Sequence, residues 1–210
     1  MENKIKDLKI ILCARDQDLF DAWQEHCSKL DNVSIVKVDI LSLQADAIVS
    51  PANSYGYMDG GIDLLYCLKF GFDIQTRLQK DIKEKYNGEL VVGNAHVIET
   101  NYEQIPALIS APTMRVPMIL PADTINPYLA MRAALLATQE GYWLHDADFK
   151  SSIKMEIKSV IFPGLGTGVG KVDPHTCAKQ MKQAIVDLVS PTFPIYWQEA
   201  VAFHNSLLKE

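Results

Sequence analysis

Residues 46–66, "DAIVSPANSYGYMDGGIDLLY", pass from an apolar run through a polar, aromatic loop into a second apolar run. Residues 159–181, "SVIFPGLGTGVGKVDPHTCAKQM", repeat this order around a glycine-rich loop. A short apolar run bounded by turn residues is typical of a buried strand. Ligands of open α/β sheets bind beyond the carboxyl ends of the strands. We therefore expect the two loops to converge on one side of a sheet.

Strand-like and helix-like segments alternate along the whole chain. Strands are predicted at residues 8–14, 33–40, 46–50, 90–100, 107–114 and 159–162. Helices are predicted at residues 17–30 behind an Asp16 cap, 61–71, 73–86, 126–141, 174–189 behind an Asp173 cap, and 197–209, with a loop at residues 143–157. This alternation predicts a three-layer α/β/α sandwich with a mixed, largely parallel central sheet. Residues 1–210 are expected to form one domain, with residues 191–210 as a C-terminal helical extension.

Length and composition are those of an ordinary globular domain. The chain has 210 residues, of which 48% are hydrophobic and 22% charged. No apolar stretch reaches the roughly 18 residues that a membrane helix needs, so no membrane association is expected. The N-terminal run "KIILC" lacks a small-residue cleavage site and favours a buried strand over a signal peptide. The expected location is cytoplasmic.

The cysteines and histidines are scattered through the sequence. Without a C-x-x-C pair, the four cysteines are expected to be buried free thiols, and no metal is predicted from the spacing of the five histidines. The formal net charge of −6, with no basic run, disfavours binding to a nucleic-acid backbone. The cysteines are Cys13, Cys27, Cys67 and Cys177, and the histidines are His26, His96, His145, His175 and His204.

The second loop does not fit the common nucleotide motifs. "GLGTGVGK" at residues 164–171 matches neither G-x-G-x-x-G nor G-x-x-x-x-G-K-[ST]. Alternating glycines can still expose several amides to one anion, and the following helix adds partial positive charge. Alone, the loop is equally compatible with a phosphate cradle and with a tightly packed turn.

The first loop adds side chains that suit a sugar ligand. Asn53 can both donate to and accept from ribose hydroxyls, and Gly60 and Gly61 allow close backbone approach. Asp63 falls in the first turn of the next helix, where a carboxylate is electrostatically favoured. Read in isolation, Asn53 and Asp63 are also ordinary turn and helix-start residues.

Four segments taken in order resemble the macro domain, the ADP-ribose-binding α/β/α family. "VDILSLQADAIVSPANS" resembles the family's "GDIT…DAIVNAANS", and "GYMDGGID" resembles its glycine loop "LLGGGGVD". "GELVVGNAHVIET" is similar to its "TGEA…T" strand entry, and "VIFPGLGTGVG" is similar to its second phosphate loop. The spacing from Asp39 to Asn53 and from Asn53 to Asp63 is preserved.

The resemblance implies a role for each matched position. Asp39 and the Ile40 amide would bind adenine, the two glycine loops would hold the diphosphate, and Asn53 would bind the distal ribose. The implied ligand-binding residues are Asp39, Ile40, Asn53, Gly60, Gly61, Ile62, Gly164, Gly166, Thr167, Gly168, Val169 and Gly170. Phe193 and Tyr196 are candidates for stacking on adenine. No further cofactor is implied.

The resemblance also implies two alternative activities. In hydrolytic members, residues at the Asn53 and Asp63 positions orient the distal ribose and a water, so these two are the candidate catalytic residues. The chain would then bind ADP-ribose or a related metabolite and hydrolyse mono-ADP-ribosyl or O-acyl-ADP-ribose linkages. The alternative is a non-catalytic reader or sequestering module. A third interpretation has loops that only pack or mediate assembly. Nucleic acid would be a partner only if ADP-ribosylated.

The sequence departs from the family pattern at four loop positions. Met58 and Asp59 replace glycines of the first loop, and Pro51 lacks an amide donor. Gly170 stands where many hydrolases carry an aromatic residue, which predicts a more open distal-ribose end. Tyr55 or Tyr57 is the expected substitute. An inward Asp59 would repel a diphosphate, so its side chain is expected to point outward or to contact the ribose.

Overall fold

A computed structural model of the chain describes residues 4–145, 152–192 and 194–208. Within these ranges the strands are β1 Lys9–Cys13, β2 Val33–Val36, β3 Ala47–Ser50, β4 His96–Glu99, β5 Ala107–Ser110, β6 Tyr142–His145, β7 Ser152–Met155 and β8 Ser159–Phe162. The helices are α1 Gln17–Cys27, α2 Gly61–Phe70, α3 Asp73–Lys85, α4 Asn126–Glu140, α5 Pro174–Val189 and α6 Trp197–Leu208. Short 3₁₀ turns lie at Lys4–Asp7 and Ile40–Ser42.

Six of these strands form the central sheet, in the order β2-β1-β8-β3-β5-β4. The pairs β1–β2, β1–β8, β3–β8 and β3–β5 are parallel, and only the edge strand β4 runs antiparallel to its neighbour. All four residues of β3 are fully buried, as is usual for a parallel strand covered on both faces. The predicted mixed, largely parallel sheet is confirmed.

Helices cover both faces of this sheet. On β1, Ile10 and Leu12 belong to one hydrophobic cluster, whereas Ile11 and Cys13 belong to the other, because successive side chains point to opposite faces. The first cluster takes in residues of α1, α4 and α5, and the second takes in residues of α2 and α3. This is the predicted three-layer α/β/α arrangement.

Two predicted helix starts are confirmed at the level of their caps. The Asp16 carboxylate accepts a hydrogen bond from the Leu19 amide at 3.0 Å, and Asp173 accepts one from the Thr176 amide at 3.0 Å. Each bond satisfies an amide of the first turn that has no partner within the helix. Helix α1 ends at Cys27, three residues before the predicted end at Leu30.

The prediction of a loop at residues 143–157 is wrong for residues 143–145 and 152–155, which form strands, and is confirmed for residues 156 and 157. Strands β6 and β7 pair antiparallel there, with Tyr142 opposite Met155. The residues there mix apolar with polar and charged types, so the segment lacks the continuous apolar run that marks strands such as β3 and β8. Residues 146–151 lie outside the described ranges.

Other strand predictions were too long. The predicted strand at residues 33–40 stops at Val36, because the Asp39 side chain caps the 3₁₀ turn Ile40–Ser42. Of the strand predicted at residues 90–100, only β4, His96–Glu99, is observed, because Gly93 takes a φ of 95° in a turn before it. A positive φ of this size is compatible with glycine and breaks strand geometry.

Helix α6 lies inside the predicted C-terminal extension and packs on α5. The Gln180 side-chain amide on α5 donates to the carbonyls of Thr124 at 2.8 Å and Leu207 at 3.1 Å, which ties α5 to the turn before α4 and to α6. The Phe203 ring lies 5.8 Å from the Tyr128 ring. Among the described residues, none of the helices combines the length and apolar character that a membrane crossing requires. All four cysteines are free and buried, as predicted.

Candidate functional site

The strand order brings both loops together beyond the carboxyl ends of two central strands. Strands β3 and β8 pair in parallel, with Ala47 opposite Val160 and Ile48 opposite Ile161. The loops that follow them, residues 51–60 and 163–173, therefore leave the sheet side by side. The predicted convergence of the two loops is confirmed by this pairing.

Asp39 lies on the same side of the sheet, beyond the carboxyl end of β2. Its Oδ1 accepts from the Leu41 amide at 3.0 Å, while the side chain as a whole is exposed, which leaves Oδ2 at the surface. The neighbouring thiol of Cys13, at the end of β1, donates to the Val38 carbonyl at 3.4 Å. Since β2 is three strands from β3, Asp39 and the first loop are roughly 14 Å apart along the edge.

Asn53 organises the first loop through its side-chain amide. Its Oδ1 accepts from the amides of Tyr55 at 3.1 Å and Tyr57 at 3.3 Å, and its Nδ2 donates to the Tyr57 carbonyl at 2.8 Å. Asn53 is only 7% exposed, and its backbone forms an isolated bridge with Met114. The side chain therefore closes a turn on itself, with one Nδ2 hydrogen left for a further partner.

The two substituted positions of the first loop have opposite environments. Met58 is 1% exposed and packs in the cluster beneath α2 and α3, and its amide donates to the Gln75 side chain at 2.7 Å. Asp59 is exposed, which is compatible with a carboxylate that points outward or one that contacts a ribose. Met58 thus anchors the loop in the core, and Gly60 and Gly61, which follow Asp59, lie at the surface.

Gly60 and Gly61 present open backbone at the start of α2. A Cβ atom at either position would meet nothing within 4 Å, and Gly61 has a φ of 57° that favours glycine. Ile62, in the first turn, is half-buried. The amides of this turn are available to a ligand because a helix N-terminus leaves them without intrahelical partners.

Asp63 lies beneath this turn and is 8% exposed. The Ser50 hydroxyl donates to Asp63 Oδ1 at 2.5 Å, and both groups are buried. Burial raises the pKa of Asp63 to about 6, against a smaller opposite effect of the Ser50 hydrogen bond. Of the predicted catalytic pair, Asn53 lies within the loop and is hydrogen-bonded in its turn. Asp63 lies beneath the loop, where its Oδ1 accepts from Ser50.

Tyr55 and Tyr57 flank the turn on its outer side. Tyr57 is 56% exposed, and the Arg115 guanidinium lies over the Tyr55 ring at 5.4 Å. Arg115 also pairs with Glu89 through two hydrogen bonds of 2.7 and 3.1 Å. The Tyr55 ring is therefore fixed, while Tyr57 remains on the surface beside the loop.

The second loop divides into a packed part and an open part. Gly164, Gly166 and Gly170 are in close contact with neighbouring residues, whereas a Cβ at Gly168 would meet nothing within 4 Å. Val169 beside it is 55% exposed, and Thr167 is half-buried. Of the predicted phosphate-loop residues, Thr167, Gly168 and Val169 reach the surface.

Gly170 does not occupy the open position that the sequence comparison suggested. Gly170 is buried, and a Cβ there would lie 2.5 Å from the Gly166 carbonyl oxygen and 3.0 Å from a Leu120 methyl group. Its own carbonyl accepts from the Leu120 amide at 2.9 Å. The backbone at position 170 is therefore closely packed, and the expected openness of the distal-ribose end stays a prediction.

The two adenine-stacking candidates precede α6 in the sequence. Phe193 lies outside the described residues. Tyr196 is 66% exposed at the start of α6, where its amide and that of Ile195 are held by Glu199. Its stacking role stays a prediction.

A cavity of about 410 Å³ lies elsewhere in the fold. Its lining includes Leu8 and Ile157, which precede β1 and β8, together with Gly141 and Lys158. These residues lie at the amino ends of the strands, so the cavity faces away from the two loops.

The structure also joins residues that no sequence spacing connects. His26 and His175 are 149 positions apart, yet His26 Nε2 lies 3.2 Å from His175 Nδ1. With Glu25 they form a group of three side chains that could hold a metal ion. Burial lowers the pKa of His26, with a smaller opposite effect from Glu25 and further lowering from Lys179 and Lys182.

Comparison with known proteins agrees with this architecture. The model of the macro-like domain family matches residues 4–191. An uncharacterised protein of Aquifex aeolicus is 32% identical over 155 residues, which cover 73% of this chain and 81% of that protein. An uncharacterised protein of Saccharolobus solfataricus is 26% identical over 156 residues, covering 73% and 76% of the two chains.

Solved structures show the same fold at lower identity. The macrodomain of Mycobacterium tuberculosis DarG has a TM-score of 0.54 at 21% identity and covers 73% of this chain and 86% of its own. A mutant macrodomain of Oceanobacillus iheyensis with ADPR has a TM-score of 0.57 at 17% identity, with coverage of 90% and 82%. The O. iheyensis macrodomain with ADP has a TM-score of 0.54 at 18% identity, with coverage of 77% and 85%. With the family match over residues 4–191, the chain belongs to the macro-like domain family.

Proposed function

We propose that the chain binds ADP-ribose, or a metabolite or protein that carries an ADP-ribosyl group, along the edge formed by β2, β1, β8 and β3. The observation that carries this proposal is the pair of open backbone segments, Gly60–Gly61 and Gly168–Val169, beyond two directly paired parallel strands. Membership of the macro-like family supports the same ligand, as do the O. iheyensis structures with ADPR and ADP.

The diphosphate would lie between the two open segments. Glycine at positions 60, 61 and 168 lets a phosphate approach the amides without meeting a side chain. Helix α2 begins at Gly61 and adds partial positive charge at its N-terminus. This mode of binding needs no lysine or arginine, so it is compatible with the net charge of −6.

The adenine end would lie toward β2. Asp39 Oδ1 accepts from the Leu41 amide and so caps the 3₁₀ turn. Oδ2 of the same exposed carboxylate would accept from the adenine amino group. The Ile40 amide, at the start of the 3₁₀ turn, would donate to a ring nitrogen. The distal ribose would then lie toward the first loop, beside Asn53 and the exposed ring of Tyr57.

Calorimetry on the full chain with ADP-ribose, ADP and AMP tests the proposal. We expect a single site near micromolar strength for ADP-ribose, about −8 kcal/mol. Asp39→Ala should weaken all three ligands, whereas Gly168→Val should weaken ADP-ribose and ADP more than AMP. Asp31→Ala, an exposed change in the turn before β2, is the matched control. Binding of none of the three ligands would reject the assignment.

Hydrolysis of an ADP-ribosyl linkage is a second candidate, favoured by one observation. Asp63 lies beneath the first loop with its pKa raised to about 6, close to the value suited to a general base at neutral pH. Turnover should be measured on a mono-ADP-ribosylated protein and on O-acetyl-ADP-ribose, beside Asn53→Ala and Asp63→Ala. Turnover no faster than in those variants, with binding intact, would leave a non-catalytic reader or sequestering module.

A further inference from the structure

The last turn of α1 and the first turn of α5 hold three potential metal ligands together. His26 Nε2 and His175 Nδ1 are 3.2 Å apart, with the two rings nearly perpendicular at 87°. Glu25 Oε1 lies 3.7 Å from His26 Nε2, and Glu25 Oε2 lies 3.6 Å from His175 Nδ1. None of these residues belongs to the proposed ADP-ribose site.

We propose that Glu25, His26 and His175 bind a divalent transition-metal ion of the Zn²⁺ type, with the fourth position open to water. Two imidazole nitrogens and a carboxylate oxygen form one of the common ligand sets for zinc. The proposal concerns a metal site on the outer surface of two helices and does not depend on the identity of the ligand at the sheet edge.

The distances fit a tetrahedral ion. With Zn–N bonds of about 2.0–2.1 Å, two nitrogens of a tetrahedral site lie about 3.3 Å apart. The observed separation of 3.2 Å matches this edge and equally suits a hydrogen bond between the two rings, and the carboxylate contacts of 3.7 and 3.6 Å come from the two different oxygens of Glu25. A tetrahedral ion would lie slightly out of the plane of the three ligand atoms, which leaves the fourth position on the other side of the ion.

The backbone beneath the three ligands is rigid. Cys27 and Ala178 are both fully buried in the core, and the Cys27 thiol approaches the Ala178 carbonyl at 3.8 Å. Cys27 directly follows His26, and Ala178 stands three positions after His175. Packing of these two residues therefore holds the backbone segments that carry the two histidines next to each other.

Access and exposure also suit a surface metal site. The His26 side chain is 14% exposed, that of His175 50%, and that of Glu25 62%, so the open side faces solvent. The four cysteines, which could compete for the ion, are all buried. A metal there would link α1 to the start of α5, close to Asp173 and the second glycine loop.

The test uses the untagged full chain, freed of metal with a chelator. Zn²⁺ titration against a competing chelator gives the affinity and stoichiometry, and Co²⁺ absorption reports four-coordinate geometry. We expect one equivalent to bind, with Co²⁺ bands of a tetrahedral site. His175→Ala and Glu25→Gln should each weaken binding by about tenfold or more, whereas His204→Ala, an exposed histidine on α6, should not.

Thermal unfolding separates ligation from folding. At the same ion concentration, a specific ion should raise the Tm of the wild-type chain more than that of His175→Ala, because only native-state binding stabilises. Glu25→Gln, at a largely exposed position, provides the same comparison if the histidine variant folds poorly. The proposal is overturned if no stoichiometric binding occurs, or if His175→Ala and Glu25→Gln bind Zn²⁺ as tightly as His204→Ala.

Discussion

The Ser50 hydroxyl donates a 2.5 Å hydrogen bond to Asp63 Oδ1 and so joins the last residue of β3 to the first turn of α2. Both residues are buried beneath the first loop, which spans the gap between those two elements. The bond fixes where α2 begins relative to the sheet, and it therefore fixes the open backbone at Gly60 and Gly61. The same carboxylate is a buried titratable group, so it also affects stability.

Asp63→Asn should stabilise the protein at pH 8 by up to about 3 kcal/mol. Burial raises the pKa of Asp63 from 3.8 to about 6, and one pKa unit corresponds to about 1.4 kcal/mol. Because the folded chain binds the proton more tightly than the unfolded chain, this group contributes less stability as the pH rises from about 4 to above 6. Urea unfolding at pH 5 and pH 8 measures the difference.

Asp59→Asn is the matched control for that experiment, since Asp59 belongs to the same loop and is exposed. Its effect on the free energy of unfolding should be small at both pH values. A stability difference between Asp63→Asn and the wild type that does not grow from pH 5 to pH 8 would contradict the raised pKa.

Gly170→Ala should destabilise the second loop by about 1–3 kcal/mol, in the range of overpacked sites. The new Cβ would lie 2.5 Å from the Gly166 carbonyl oxygen, a backbone atom that cannot move without displacing the loop. Gly168→Ala, two residues earlier, meets nothing within 4 Å and should change stability by less than about 0.5 kcal/mol. Equal losses in the two variants would argue against the packed position of Gly170.

The strand–loop–helix units could be predicted because their signals are local. The apolar run at residues 47–50, the Asp16 and Asp173 caps and the spacing of Ile74, Leu78 and Ile82 each lie within one element. Local signals also placed the two loops after strands. Their lateral proximity followed from the general behaviour of parallel sheets rather than from any one residue.

The remaining features depend on packing between distant segments. Nothing in the sequence around Gly170 distinguishes a glycine that faces a ligand from one pressed against Gly166. The depth of Asp63 depends on Ser50 across the loop, and the His26–His175 contact joins positions 149 residues apart. The β6–β7 hairpin was missed because its sequence is mixed and polar and its pairing joins segments on either side of residues 146–151.

Met58→Ala should cost about 2–5 kcal/mol of stability, the usual range for a fully buried methionine. Met58 is 1% exposed and packs with the buried residues of α2 and α3. Tyr57→Ala, at the 56% exposed neighbouring position, should cost far less. The free energies of urea unfolding of the two variants show whether the buried Met58 side chain stabilises the fold.

Asn53→Ala should cost about 1–3 kcal/mol, because it leaves the turn's amides and a carbonyl without their buried partner. The wild-type side chain accepts from the Tyr55 and Tyr57 amides and donates to the Tyr57 carbonyl. Faster hydrogen exchange at those two amides, measured by NMR, would locate the loss in the loop. Asn53→Asp keeps an acceptor for both amides and removes the donor, so its exchange should lie between that of the wild type and that of Asn53→Ala. Exchange at the two amides that stays unchanged in Asn53→Ala would show that the turn holds without this side chain, and any loss of ligand binding would then report a direct contact.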